Sequence, residues 1–113
     1  GVVVRDEDLA GLSEDLVGAL RDSNRHYDRE VFASLLERPL SLARRLQLPL
    51  YCGEWGVYRE APREPRLRWY RDVRTVFEAH GIGWATWDYK GGFGIVDSNG
   101  TPDQELIRIL TEE

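Results

Sequence analysis

The sequence predicts an α/β fold in which parallel strands are joined and covered by helices. Three observations carry this. Two apolar runs of strand length occupy residues 50–57 and 82–89, a stretch of helical periodicity lies between them, and Gly81 stands where that helix must close. Strand, loop, helix and strand in that order form the pattern of a right-handed βαβ unit, whose two strands are parallel neighbours.

Taken from the start, residues 1–4 are a β-branched run that reads as the end of a strand. Over residues 8–21, Leu9, Leu12, Leu16, Val17 and Leu20 fall at helical spacing, which predicts a helix with one buried stripe. Ser23 and Asn24 open a connection, because their side chains compete for backbone partners. A second helix runs from about Glu30 to Gln47. Pro39 lacks an amide donor and crowds the preceding turn, so two helical pieces or a kink are expected.

The 50–57 run does not alternate between polar and apolar residues, which suits a strand covered on both faces. Pro62 and Pro65 make residues 58–65 a loop. Leu67, Tyr70, Val73 and Phe77 then form the apolar face of the connecting helix. After the second strand come a glycine-rich loop at 90–94, a turn at 97–100 and a last helix. There Thr101 is the expected cap, Pro102 the first helical residue and Gln104 the partner in a capping box.

Bulk properties narrow the function. The 113 residues carry 42% hydrophobic and 31% charged residues, an ordinary globular balance, so one domain spanning residues 1–113 is expected. A net charge of −5 argues against nucleic acid, whose phosphates need a concentrated basic surface. Cys52 is the sole cysteine and cannot form an internal disulfide, and its apolar setting reads as a structural thiol. No window of eighteen apolar residues is present, so a soluble chain with no membrane partner is expected, and secretion stays open.

Glu54 ends an otherwise apolar strand, and alternating strand-helix barrels place their reactive groups at that end. By itself the position leaves two roles open: a hydrated strand-tip carboxylate, or a reactive group. Trp87 closes the next strand, so the two side chains are expected to project into one cleft, with Asp88 above them. An aromatic platform beside a carboxylate suits a sugar ring, whose apolar face stacks while its hydroxyls seek hydrogen-bond partners. Trp84, deeper in the strand, reads as core.

The segments LPLYCGEWGVYRE and WYRDVRTVFEAHGIGWATWDYKGGFGIVDSNG resemble the C-terminal part of glycoside hydrolase family 5, the cellulase-type glycosidases, over roughly residues 48–110. The resemblance implies a partial TIM-type (β/α) barrel made of the last two or three βα units. It implies that Glu54, in a Gly-Glu-Trp-Gly motif at the seventh strand, is the nucleophile, and that Trp87, closing the eighth, is part of the substrate platform. His26 and Tyr27 resemble the family's His-x-Tyr motif of the sixth strand, with altered spacing. The implied reaction is retaining hydrolysis of the O-glycosidic bonds of β-1,4-linked glucans, with no metal or other cofactor. The implied partner is a β-glucan or related oligosaccharide, and the implied location is secreted or periplasmic.

Two departures from the family's pattern matter. Retaining hydrolysis needs a second carboxyl about 5 Å from the nucleophile, and the family's Asn-Glu pair does not occur here. A full barrel also takes about 250 residues. The alternative expectation is therefore a non-catalytic barrel remnant with a scaffold or carbohydrate-binding role. Either way, unpaired sheet edges favour a homo-oligomer.

Overall fold

The computed structural model describes residues 3–23 and 26–111. A 3-10 turn at Asp6–Leu9 is followed by α1 (Glu14–Ser23), α2 (Arg29–Leu46), β1 (Tyr51–Cys52), α3 (Arg63–Ala79), β2 (Gly83–Trp84) and α4 (Gln104–Thr111). Strands β1 and β2 are parallel, with Tyr51 opposite Gly83 and Cys52 opposite Trp84, and α3 makes the crossover. The predicted βαβ unit is present.

Helix α3 is the spine of the core. Its Leu67, Tyr70, Val73 and Phe77 are buried together with Leu40 of α2, Trp55 and Ile82 beside the strands, and Leu106 and Ile109 of α4. At its end the Ile82 N–H donates to the Phe77 carbonyl at 2.9 Å and Gly81 takes φ +65°, a left-handed closure that glycine adopts without a Cβ penalty. Ion pairs tie the helices together: Arg29 of α2 to Asp72 at 2.8 Å, and Arg63 to Asp103 at 2.9 Å.

Several local expectations are corrected. Gly1 and Val2 lie outside the described residues, and Val3 and Val4 are not in a strand. Residues 8–13 are not α-helical: Gly11 sits at φ +80°, and α1 begins only after Ser13, whose hydroxyl accepts the Leu16 N–H. The leucine stripe is not buried as one face, since Leu12 and Leu16 are exposed. α2 runs unbroken through Pro39, started by the Asp28 carboxylate on the Val31 N–H and closed by left-handed Gln47. Leu35, four residues before the proline, is exposed, so water can take the carbonyl that Pro39 leaves without a donor.

α3 begins at Arg63, so Pro65 lies in its first turn, where amide donors have no intrahelical acceptor. α4 begins at Gln104, with Pro102 outside it. Its cap is Asp103, which accepts the Leu106 N–H at 3.2 Å; Thr101 instead gives its N–H to Asp97. Asp103 outcompetes Thr101 because it is simultaneously fixed by Arg63.

Among the described residues, the strands are covered on one face, not on both as expected. Leu50, Cys52, Ile82 and Trp84 face the helices, whereas Tyr51 lays its ring over Gly53 and Gly83 on the other face and remains 68% exposed. The molecule is a slab of 46 × 44 × 19 Å. Its radius of gyration, 16.6 Å, exceeds the roughly 13 Å of a compact domain of this length.

Candidate active site at the tips of the two strands

Backbone hydrogen bonds continue beyond the regular ladder and change spacing as they do. Gly83 donates to the Leu50 carbonyl at 3.1 Å, Ala85 to Cys52 at 3.0 Å, and Trp87 to Trp55 at 2.9 Å. The donors advance evenly by two residues. The acceptors advance by two and then by three, so β1 carries one extra residue across Gly53 and Glu54, a bulge.

This bulge decides where Glu54 goes. Strict alternation would put Glu54 on the helix-facing side with Cys52. The extra residue gives that side to Trp55 instead, which is 7% exposed and packs its ring against Trp69, Tyr70, Phe77 and Trp84 at 5.2–5.9 Å. Glu54 is left exposed at the tip. Its carbonyl, displaced from the ladder, accepts the Cys52 thiol at 3.5 Å, which gives the cysteine a structural contact.

Trp87 sits beside this tip. It is 51% exposed, and the Trp87–Asp88 peptide bond is cis. Trp84 differs: it is half-buried and edge-on to Trp55 at 5.2 Å. Gly56 brings the two tips together, because a Cβ there would stand 2.3 Å from the Trp87 carbonyl oxygen. Only a glycine allows that approach.

Asp88 is half-buried and its carbonyl accepts the Ile95 N–H at 3.1 Å. Its carboxylate lies against Gly91, where a Cβ would be 2.3 Å from Oδ2, and Oδ1 is buried without a hydrogen-bond partner. Asp88 thus shapes the glycine loop above Trp87. His26 is exposed in the segment before α2, and Tyr27 stacks on Phe32 at 6.0 Å, which in turn meets Trp69 edge-on at 5.7 Å. The ring contact of Tyr27 is therefore with the helical layer.

The sequence reading placed Tyr70 on the apolar face of the connecting helix but missed the bulge, the role of the Tyr70 hydroxyl, and Arg59. The Tyr70 hydroxyl accepts the Val57 N–H at 3.0 Å, and Arg59 donates to the Gly94 carbonyl at 2.7 Å, stitching the loop after β1 to the glycine loop after β2. Nothing in spacing marks such side-chain-to-backbone bonds. The hollow of about 500 Å³ near the start of α4 lies elsewhere, lined by Arg59, Arg63, Asp97, Asp103, Glu105 and Arg108 among others. Among the described residues, no group of three or more His, Cys, Asp or Glu side chains is placed to hold a metal, and no helix is long and apolar enough to cross a membrane.

No family model matches the chain. Individual proteins do. Endoglucanase C of Acetivibrio thermocellus is 33% identical over 90 residues, covering 78% of this chain and 26% of that protein. Endoglucanase Cel5A of Thermotoga maritima superposes with a TM-score of 0.70 at 25% identity, over 89% of this chain and 33% of that one. A hyperthermophilic endo-β-1,4-glucanase, solved in complex with substrate, gives a TM-score of 0.69 at 27% identity, over 75% and 28%. The chain spans about a quarter of the length of the curated relative. Sequence and fold together identify it with the C-terminal part of the β/α barrel of the cellulase-type glycosidases of glycoside hydrolase family 5, and its parallel strands and covering helices are a partial TIM-type barrel.

Proposed function

We propose that the chain carries the nucleophile side of a retaining β-glycosidase site, acting on β-1,4-linked glucan, with Glu54 the nucleophile and Trp87 the sugar platform. The observation that carries this is the bulge in β1, which lifts Glu54 out of strand alternation and leaves its carboxylate exposed at the tip beside an exposed indole. Glu54 attacks the anomeric carbon, a carboxylate oxygen–carbon bond forms, and the glycosidic bond breaks. Natural leaving groups need a proton at that step, and the family's Asn-Glu acid is missing from this sequence.

The partners proposed are a β-glucan or related oligosaccharide and a second copy of the chain over the open sheet face. A secreted or periplasmic location follows from the same resemblance. The alternative, a barrel remnant that binds carbohydrate without reacting, is favoured by the missing acid alone.

An aryloxide leaving group needs no proton, so the nucleophile can be tested without the acid. Incubation with 2,4-dinitrophenyl 2-deoxy-2-fluoro-β-cellobioside is expected to raise the intact mass by one fluorocellobiosyl group, with dinitrophenolate released. Glu54→Gln is expected to remain unlabelled. An unlabelled wild type, or a label that survives Glu54→Gln, removes Glu54 from the role.

A further inference from the structure

We propose that Tyr70, together with Gly56, is a positioning device that sets the two strand tips against each other and so fixes Glu54 relative to Trp87. The inference rests on the reading of Glu54 as nucleophile, and its geometry stands on residues that never reach the cleft. Tyr70 lies in the middle of α3, is fully buried, and has its ring against Trp55 and Trp69. Its hydroxyl is therefore held from below by packing, with little rotational freedom.

That hydroxyl meets the chain just past the bulge. It accepts the Val57 N–H at 3.0 Å, three residues after Glu54. A Cβ on Gly56 would lie 3.1 Å from the same hydroxyl oxygen and 2.3 Å from the Trp87 carbonyl oxygen, so one small space is shared by α3, the β1 tip and the β2 tip. Past the bulge the two tips share the Trp55–Trp87 bond, and the next backbone bond between the segments, from the Arg59 N–H to the Gly92 carbonyl at 2.7 Å, lies beyond Val57. Without the hydroxyl, the Val57 amide loses its partner in a half-buried place, and the chain after Glu54 keeps the Trp55 ring in the core but loses its polar anchor to the helix layer.

A merely structural tyrosine and a positioning tyrosine differ in what they disturb. Tyr70→Phe keeps the ring and deletes only the hydroxyl. Amide hydrogen exchange is expected to accelerate about tenfold at Val57 and Trp87 while the α4 amides around Leu106 keep their protection. Gly56→Ala is expected to disturb the Trp87 region in the same way from the other side, and Ile109→Ala, a core truncation in α4, is expected to leave the strand tips unchanged relative to the rest. In the labelling reaction, Tyr70→Phe is expected to slow adduct formation on Glu54 about tenfold.

Uniform acceleration across the molecule in Tyr70→Phe, or unchanged exchange at Val57 and Trp87, overturns the proposal. A wild type that cannot be labelled refutes the nucleophile and leaves hydrogen exchange to decide whether the tyrosine positions the tips. Normal labelling with locally accelerated exchange overturns the link to Glu54 alone.

Discussion

The Trp87 N–H donates to the Trp55 carbonyl at 2.9 Å, one residue beyond the Glu54 carbonyl that an even parallel ladder would offer it. The placement of Glu54 follows from that displacement. It lets Trp55 enter the core against four aromatic side chains while Glu54, next to it, stays in water. Bulges recur beside reactive groups because they re-aim one side chain without unpairing a whole strand.

Turnover by the chain alone is the first expectation. Glu54 has no family acid to protonate a natural leaving oxygen and no base to activate the water that releases a glycosyl-enzyme, so soluble β-glucan and activated aryl β-glycosides are expected to turn over negligibly, even where a single labelling event occurs. Reducing-sugar and chromophore-release assays check this. Robust turnover, lost in Glu54→Gln, would show that another carboxyl of this chain supplies the proton.

Trp84 of β2 and Trp87, three residues beyond it, separate the core from the site. Trp87→Ala removes an indole that is 51% exposed, so stability is expected to change by about 0.5 kcal/mol or less, whereas titration with cellotetraose is expected to show about tenfold weaker binding. Trp84→Ala opens a gap against Trp55 and is expected to cost about 2 kcal/mol in urea unfolding. Equal stability losses in the two variants would contradict the assignment of Trp87 to the cleft.

The βαβ unit was legible because each of its signals is local. Periodicity marked α3, Gly81 marked its end, and two apolar runs marked the strands. The position of Glu54 at a strand tip was legible too, but not the reason it escapes the core, because a bulge is a mismatch between two strands and neither strand shows it alone. The Asp103 cap was hidden for a similar cause: Thr101 and Asp103 both fit the local pattern, and the choice is made by Arg63, forty residues away in sequence. Pro39 misled because tertiary packing of Leu36 and Leu40 on the core outweighs one lost hydrogen bond.

Asp103 makes stability depend on pH. Burial alone would raise its carboxyl, but the hydrogen bonds from Arg63 and the Leu106 N–H, with the charges of Arg63 and Arg66, hold it below the usual carboxylate range. A depressed folded value means that the ionised carboxylate stabilises the fold above the ordinary aspartate value near 3.9, and that this stability is lost as pH falls through the lower folded value. Acidification below about pH 4 is therefore expected to lower the urea midpoint. Asp103→Ala strands the guanidinium of Arg66, only 4% exposed, and is expected to cost about 3 kcal/mol at neutral pH and to flatten the acid limb. An acid limb as steep in Asp103→Ala as in the wild type would assign the pH dependence to other carboxylates.

The open face of the sheet leads to an expectation about assembly. β1 and β2 form a two-stranded sheet in which each strand is an edge, and two parallel strands alone give little independent stability. Tyr51, Trp87 and Tyr89 expose half or more of their surface, and Leu12 ahead of α1, with Leu16, Leu42 and Leu46 on the helices, adds exposed apolar area. The helices do not shield the face that carries Tyr51, and the 19 Å thickness of the slab leaves it without a second layer. The 113-residue chain by itself is therefore expected to form a homodimer or larger oligomer that covers this face. Charge introduced at its centre should oppose that: Tyr51→Lys is expected to shift the population towards monomer without lowering thermal stability of the monomer, because the Tyr51 ring, lying over Gly53 and Gly83, is 68% exposed. Sedimentation equilibrium at micromolar concentration checks both statements, and a wild type that sediments only as a 13.0 kDa species with a cooperative thermal transition would show that the slab is stable with its sheet face open to water.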